Sequence, residues 1–219
     1  MNVKDALKNR RSVRAFTDEP ITKAELTEIL RLAVRAVSRT NIQPWEFAVV
    51  SGDALKRLGQ ANIDELKRNA LPPESYVLDD VYRSRKIDIA KRLFKEMDIS
   101  RDNKEKRDWW SQRGFRYFDA PAAIIVYTGE VKNLAATKLD IGCLTQNICT
   151  AAMEFGLGTC VEWQGVALPE VLHKELGIPG EKEFVIAIAI GHPDDSFPAN
   201  SVISPREDVE SITKWYGFE

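Results

Sequence analysis

Arg10-Arg11-Ser12-Val13-Arg14-Ala15-Phe16 places three guanidinium groups and a hydroxyl within five residues, with no acid among them. Guanidinium forks match phosphate oxygens two at a time, and such charge-assisted bonds are about twice as strong as neutral ones. If the chain is extended here, Arg10, Ser12 and Arg14 project to one side, and Arg11 and Val13 to the other. One face then offers two cations and a hydroxyl to a single anion. A solvated basic turn is the competing reading of the same residues.

A second polar run, Thr40-Asn41-Ile42-Gln43-Pro44-Trp45, carries two amides. Pro44 biases Gln43 toward an extended backbone, which sends Asn41 and Gln43 to one side. Each amide has a donor and an acceptor, and the pair suits a heterocycle edge of alternating carbonyl and N–H groups. An ordinary helix-to-strand turn would read the same way.

The elements that must position these residues follow from periodicity. Val3 to Asn9 reads as a short helix, and Thr22-Lys23-Ala24-Glu25 matches a capping box opening a helix that runs to about Ala36. Glu46 to Val50 is a strand, and Ala54 to about Asn69 a helix. Leu71-Pro72-Pro73-Glu74 breaks the chain, and the charged excursion from about 71 to 117 carries an apolar stripe of Ile87, Ala90, Leu93 and Phe94, with Trp109 and Trp110 in a further helix. A lid and a solvated helical hairpin both fit it.

Ala122 to Tyr127 is an apolar strand. Leu139 to Phe155 is a helix apolar around most of its circumference, which requires burial on several sides or a subunit interface. Gly156-Leu157-Gly158 ends it. Thr159 to Glu162 is a strand, Pro169 to Leu176 a helix, Phe184 to Ile190 a buried strand, and Pro193 to Ser204 loop. Trp215, Tyr216 and Phe218 make an apolar tail that calls for a packing partner, such as a second subunit. These elements read as a single α+β domain over 1–219, with helices around one sheet.

At 219 residues and 44% hydrophobic content the chain can bury a full core. A net charge of −2 argues against a nucleic-acid surface, which needs a broader basic footprint. No apolar run is long enough for a membrane span, and the charged start of the chain lacks an apolar leader, so a cytoplasmic protein is expected. Cys143, Cys149 and Cys160 form no C-x-x-C pair and read as core residues. His173 reads as a surface residue, and no metal site is expected. No Walker A or dinucleotide glycine pattern is present.

Taken in order, Arg10 to Phe16, Ser38-Arg39-Thr40-Asn41-Ile42-Gln43-Pro44-Trp45, Gly156-Leu157-Gly158-Thr159-Cys160 and Pro205-Arg206 resemble the FMN-dependent nitroreductase family over almost the whole chain. Tyr82-Arg83-Ser84-Arg85-Lys86 and Phe115 to Pro121 look like the longer insertion of its nitrobenzoate-reductase-like branch. The resemblance implies helices around a central, mainly antiparallel sheet in a domain-swapped homodimer with two FMN sites at the interface. Arg10, Ser12 and Arg14, beside Arg11, would hold the phosphate and ribityl end, joined by Arg206. Ser38, Arg39, Thr40 and Asn41, with Gln43, would come from the other subunit. Gln164 and Gly165 would bring backbone N–H groups to flavin N5 and O4, although Trp163 and Gln164 depart from the family's commoner Glu-Gly pair. Arg83 and Lys86 are alternatives for the family's lysine at the pyrimidine edge.

The implied activity is reduction of nitroaromatic or other electron-poor acceptors by NADH or NADPH through FMN, with ping-pong kinetics. Related members remove halogens or reduce enones, and a flavin-binding protein without turnover is a further alternative. Within the excursion, Trp109, Trp110 and Tyr117 are candidates to stack on an aromatic acceptor, and Arg83 or Arg113 to pair its carboxylate. No protein nucleophile or obligatory general acid follows from the sequence.

Overall fold

The computed structural model describes residues 2–69, 71, 77–129 and 134–218. Four antiparallel strands, β1 (Glu46–Ser51), β2 (Ala122–Thr128), β3 (Gly158–Glu162) and β4 (Glu183–Gly191), form a sheet in the order β1-β2-β4-β3. Around it lie α1 (Val3–Asn9), α2 (Lys23–Ala33), α3 (Gly52–Arg68), α4 (Asp80–Glu96), α5 (Lys104–Gln112), α6 (Leu134–Glu154), α7 (Pro169–Leu176) and α8 (Val209–Ile212). The expected α+β architecture with an antiparallel sheet is the one found.

The period-2 alternation of the central strands sorts their side chains into two cores. Ile124, Val126, Ile188 and Ile190 meet α2 and α6 through Leu26, Ile29, Ile141, Leu144 and Ile148. Ala123, Ile125, Ala187 and Ala189 face Leu55 and Leu58 of α3, Leu172 of α7, and Tyr117 and Phe118. Small residues on this second face leave room for the Tyr117 ring, which is fully buried. The capping box of α2 is complete: Thr22 Oγ1 accepts the Glu25 N–H, and Glu25 Oε2 accepts the Thr22 N–H at 2.8 Å.

α6 begins five residues before the expected Leu139, and α2 stops at Ala33 rather than near Ala36. Pro72, Pro73 and Glu74 of the expected chain break lie outside the described residues. The excursion is helical and anchored. Leu93 of α4 packs with Ala199 and Val202, and Ile89, Met97, Trp110 and Phe197 close the same cluster. Ile87, placed on the stripe by sequence, is exposed, because the buried face runs through Ile89, Leu93 and Met97 instead. Arg85 adds an ion pair to Glu207 at 3.0 Å. α4 and α5 are therefore seated on the C-terminal segment next to the arginine cluster.

Candidate active site

The arginine segment leaves α1 at Arg10, whose φ of −57° and ψ of 124° break the helix, and runs extended beside β3. Ser12 bridges Thr159 in parallel register, and Phe16 bridges Pro193. The alternation is as expected: Val13 is buried and Arg11 turns aside to pair with Asp195 at 2.7 Å. Arg10, Ser12 and Arg14 line one cleft of about 460 Å³, joined by Arg206, Ser204, Lys8, Gln146 of α6 and Ile89 of α4. Arg11 borders the cleft with its guanidinium already engaged. Lys8 and Gln146 were not singled out from the sequence. Their signal was weak, since each stands on a helix whose orientation only the fold defines.

Among the described residues, Arg11 is the one member of this cluster in an ion pair. Arg14 Nη1 makes only a long 3.4 Å contact to the Ser12 carbonyl. Arg206 Nη1 folds back on Ser204 and Pro205. Among the described residues, no carboxylate pairs with Arg10, Arg14 or Arg206, and such cations are the donor set an anionic ligand requires. A volume of this size lies within the roughly 300–1,000 Å³ range of small-molecule sites. The residues fit the phosphate-bearing end of FMN on both counts.

A second hollow of about 470 Å³ shares Arg10 and Gln146 with the first and continues along α6. Its walls are Ile141, Gly142, Thr145 and Cys149 of α6 and Val161, Val185 and Ile186 of the sheet, with Lys138 at its margin. An apolar trough leading away from an anion grip is suited to an aromatic ring system.

At the end of β3 the chain makes a 3-10 turn, Gln164–Val166. Its hydrogen bonds run from the N–H groups of Val166 and Ala167 back to Trp163 and Gln164, which leaves the Gln164 and Gly165 N–H groups in the unpaired first turn. The turn is braced from behind. Tyr117 Oη donates to the Gly165 carbonyl at 2.8 Å, and Gln164 Nε2 donates to the Ser111 carbonyl at 2.8 Å. A Cβ on Gly165 would lie 2.6 Å from Tyr117 Cε1, so the close approach requires glycine.

Glu162, the last residue of β3, went unremarked as a side chain in the sequence. It is buried, and neither carboxyl oxygen has a hydrogen-bond partner among the described residues. Burial drives its pKa well above the usual glutamate value. The Cys160 thiol two residues earlier is pushed up to about 12 by burial. Burial also raises Cys149, so both thiols are neutral core groups as expected, while Cys143 is half-buried.

Ser38, Arg39, Thr40, Asn41 and Gln43 do not join the arginine cleft within one chain. The Arg39 N–H donates to Asp140 of α6 at 3.2 Å, on a different face of the helix from that lining the trough. The extended conformation expected at Gln43 is overturned: Thr40, Asn41 and Gln43 have φ of 48°, 59° and 47°. A 3-10 turn with Asn41 N–H bonded to Ser38 O, and Ser38 Oγ accepting the Gln43 N–H at 3.1 Å, outweighs the bias from Pro44. Each non-glycine residue held in this region costs on the order of 1–3 kcal/mol.

The substrate candidates are also redistributed. Tyr117 is fully buried and committed to Gly165, so it cannot stack on an acceptor. Arg113 is buried and paired with Asp119 at 3.1 Å, which removes it as a carboxylate partner. Arg83 stays exposed on α4, near Asp80 at 3.8 Å, outside the cleft lining. Trp109 is partly exposed on α5. His173 is half-buried rather than on the surface, its Nδ1 bonded to the Ile178 carbonyl at 2.9 Å and its ring 4.9 Å from that of Phe184.

No helix among the described residues is long and apolar enough to cross a membrane. Compared with known proteins, the chain is similar throughout to reductases of nitroaromatics. It is 30% identical over 217 residues to the nitrobenzene nitroreductase of Ectopseudomonas oleovorans, covering 96% of this chain and 95% of that one. It is 28% identical over 218 residues to the 4-nitrobenzoate reductase of Pseudomonas putida, covering 96% and 94%. Its backbone superimposes on the crystal structure of the FMN and NADPH-dependent nitroreductase NfnB from sphigopyxis sp. strain HMH with a TM-score of 0.94, at 29% identity and full coverage of both chains. The FMN-dependent NfnB from Mycobacterium smegmatis, solved in complex with NADPH, gives 0.91 at 25% identity and 97% coverage of each. A family model described as the nitroreductase family matches residues 7–192, and the chain belongs to that family.

Proposed function

We propose that this protein is a homodimeric FMN-dependent oxidoreductase that takes hydride from NADH or NADPH and reduces nitroaromatic or other electron-poor acceptors. The observation that carries the reading is the convergence of Arg10, Ser12, Arg14 and Arg206 on one cleft, with no carboxylate paired to Arg10, Arg14 or Arg206 among the described residues. The relatives' names supply the chemistry that this cleft is suited to support.

FMN, when bound, supplies the hydride chemistry of its ring, and the protein supplies orientation and charge. Arg10, Ser12 and Arg206 would grip the phosphate and ribityl end, with Arg14 adding a second fork. A cation near N1 and C2=O of the ring, in a role separate from that of the phosphate-end arginines, would stabilise the negative charge of the reduced flavin. The free N–H groups of Gln164 and Gly165 offer donors to a ring acceptor, held by Tyr117 behind them. Ile141, Thr145, Val161 and Ile186 would exclude water along the trough.

Ser38, Arg39, Thr40 and Asn41, with Gln43, would complete the site from the second subunit. Their position outside this chain's own cleft supports that arrangement, as do the exposed apolar groups Ile42, Leu139 and Val161, and Trp215, Tyr216 and Phe218 on the tail. Donor and acceptor would use the one site in turn, giving ping-pong kinetics. A cytoplasmic location belongs to the same reading, because free nicotinamide reductants are required.

The test is anaerobic mixing of the FMN-loaded protein with NADH or NADPH. Bleaching near ~450 nm, a property of the flavin itself, followed by recovery on adding 4-nitrobenzoate or nitrobenzene, is the expected result. A flavin that neither nucleotide bleaches contradicts the reductase assignment.

A further inference from the structure

Arg113 closes α5 and is 7% exposed, unusual for a cation away from the cleft lining. Its Nη2 donates to the Arg14 carbonyl at 2.8 Å and makes a longer 3.4 Å bond to the Phe118 carbonyl, while Nη1 pairs with Asp119. The guanidinium lies 5.2 Å from the Trp109 ring centroid and 4.9 Å from that of Phe197. Burial lowers its pKa, with Asp119 opposing that shift. A buried cation costs several kcal/mol in desolvation, roughly, and is retained only where its partners are well placed.

The opposite side of Arg14 is held just as firmly. Asn200 Oδ1 accepts the Arg14 N–H at 2.6 Å, and Asn200 Nδ2 donates to the carbonyls of Ala15 and Asp194 at 2.8 Å each. Both backbone polar groups of Arg14 are therefore satisfied by side chains from distant parts of the chain rather than by a strand. The Arg14 side chain is left to the cleft.

We propose that Arg113 is a positioning residue for the cofactor site, acting through the Arg14 carbonyl to fix where the Arg14 guanidinium meets FMN. The inference rests on the FMN reading of the cleft. It also ties the helical excursion to cofactor retention, because Arg113 directly follows α5 and lies over the ring of Trp109 on that helix. Displacing α5 would withdraw the donor from Arg14 and loosen FMN.

The test is a double-mutant cycle on FMN affinity, read by quenching of free-flavin fluorescence well below the melting temperature. R113M is expected to raise the FMN Kd about tenfold, the size of one lost bond from a charged donor. D119N removes the ion pair but keeps the donation to Arg14, and is expected to raise the Kd less than R113M does. Because Arg113 acts through Arg14, adding R113M to R14A is expected to cost much less than it costs the wild type. Wild-type affinity in R113M, or an undiminished penalty on the R14A background, overturns the proposal. If R113M does not fold, R113K, which keeps the charge but loses the fork, runs the same cycle with the same two outcomes. A wild-type protein that binds no FMN fails the functional reading first, and the positioning role falls with it.

Discussion

The Val13 N–H donates to the Thr159 carbonyl at 2.9 Å, which stitches the arginine segment to the edge of β3. This bond lets a short run of the N-terminus behave as part of the sheet. Val13 enters the core beside Gly158, and its neighbours Ser12 and Arg14 face the cleft.

Gly158 is required by that approach. A Cβ there would fall 2.5 Å from Val13 Cγ2 and 2.9 Å from Pro193 Cγ. Gly158→Ala is expected to cost about 1–3 kcal/mol in urea unfolding, and to weaken FMN binding because the arginine segment must move outward. Unchanged stability and affinity would show that the segment is not packed this closely.

Glu162 makes stability depend on pH. Below the ordinary glutamate value both folded and unfolded chains hold the proton, so the stability difference between wild type and Glu162→Gln does not change with pH there. Between that value and the raised folded one, the unfolded chain releases its proton and the folded chain keeps it. Wild type therefore loses stability with rising pH, by roughly 1.4 kcal/mol per pH unit, until the folded carboxyl ionises. The Gln variant lacks this loss, and its melting temperature is expected to gain on that of wild type as the pH is raised above the ~4.3 of a free glutamate, until the folded carboxyl ionises. Parallel curves would show a carboxylate that is charged in the folded state.

Leu139 stands 69% exposed on α6, the helix that walls the trough. Light scattering is expected to return about twice the chain mass of 24.8 kDa. Leu139→Glu places a charge in that apolar surface and is expected to lower both the dimer fraction and bound FMN. A monomer that retains FMN would contradict a site shared between subunits.

Much of this organisation is legible in the residues. The capping box at Thr22, the apolar runs of β2 and β4, and the arginine alternation each depend on local spacing, and each is found. What escaped depends on long-range contacts. Pro44 predicts an extended Gln43, yet Ser38 Oγ captures its N–H in a left-handed turn. Tyr117 and Arg113 look like substrate-facing residues until the fold brings Gly165 and Arg14 against them. Asn200, in a segment read as loop, has no local signal for its three bonds to the backbone at Arg14, Ala15 and Asp194.

FMN content per folded chain shows directly whether the arginine cleft holds the cofactor. Wild-type protein, purified and supplied with FMN, is expected to retain about one flavin per chain and release it on denaturation. Arg10→Ala combined with Arg14→Ala is expected to lose the flavin while its thermal unfolding shifts little, since two bonds from charged donors are worth about 3–6 kcal/mol to the ligand and neither side chain is in an ion pair among the described residues. A wild-type chain that cannot be loaded, or a double variant that keeps FMN as tightly as wild type, would contradict the account.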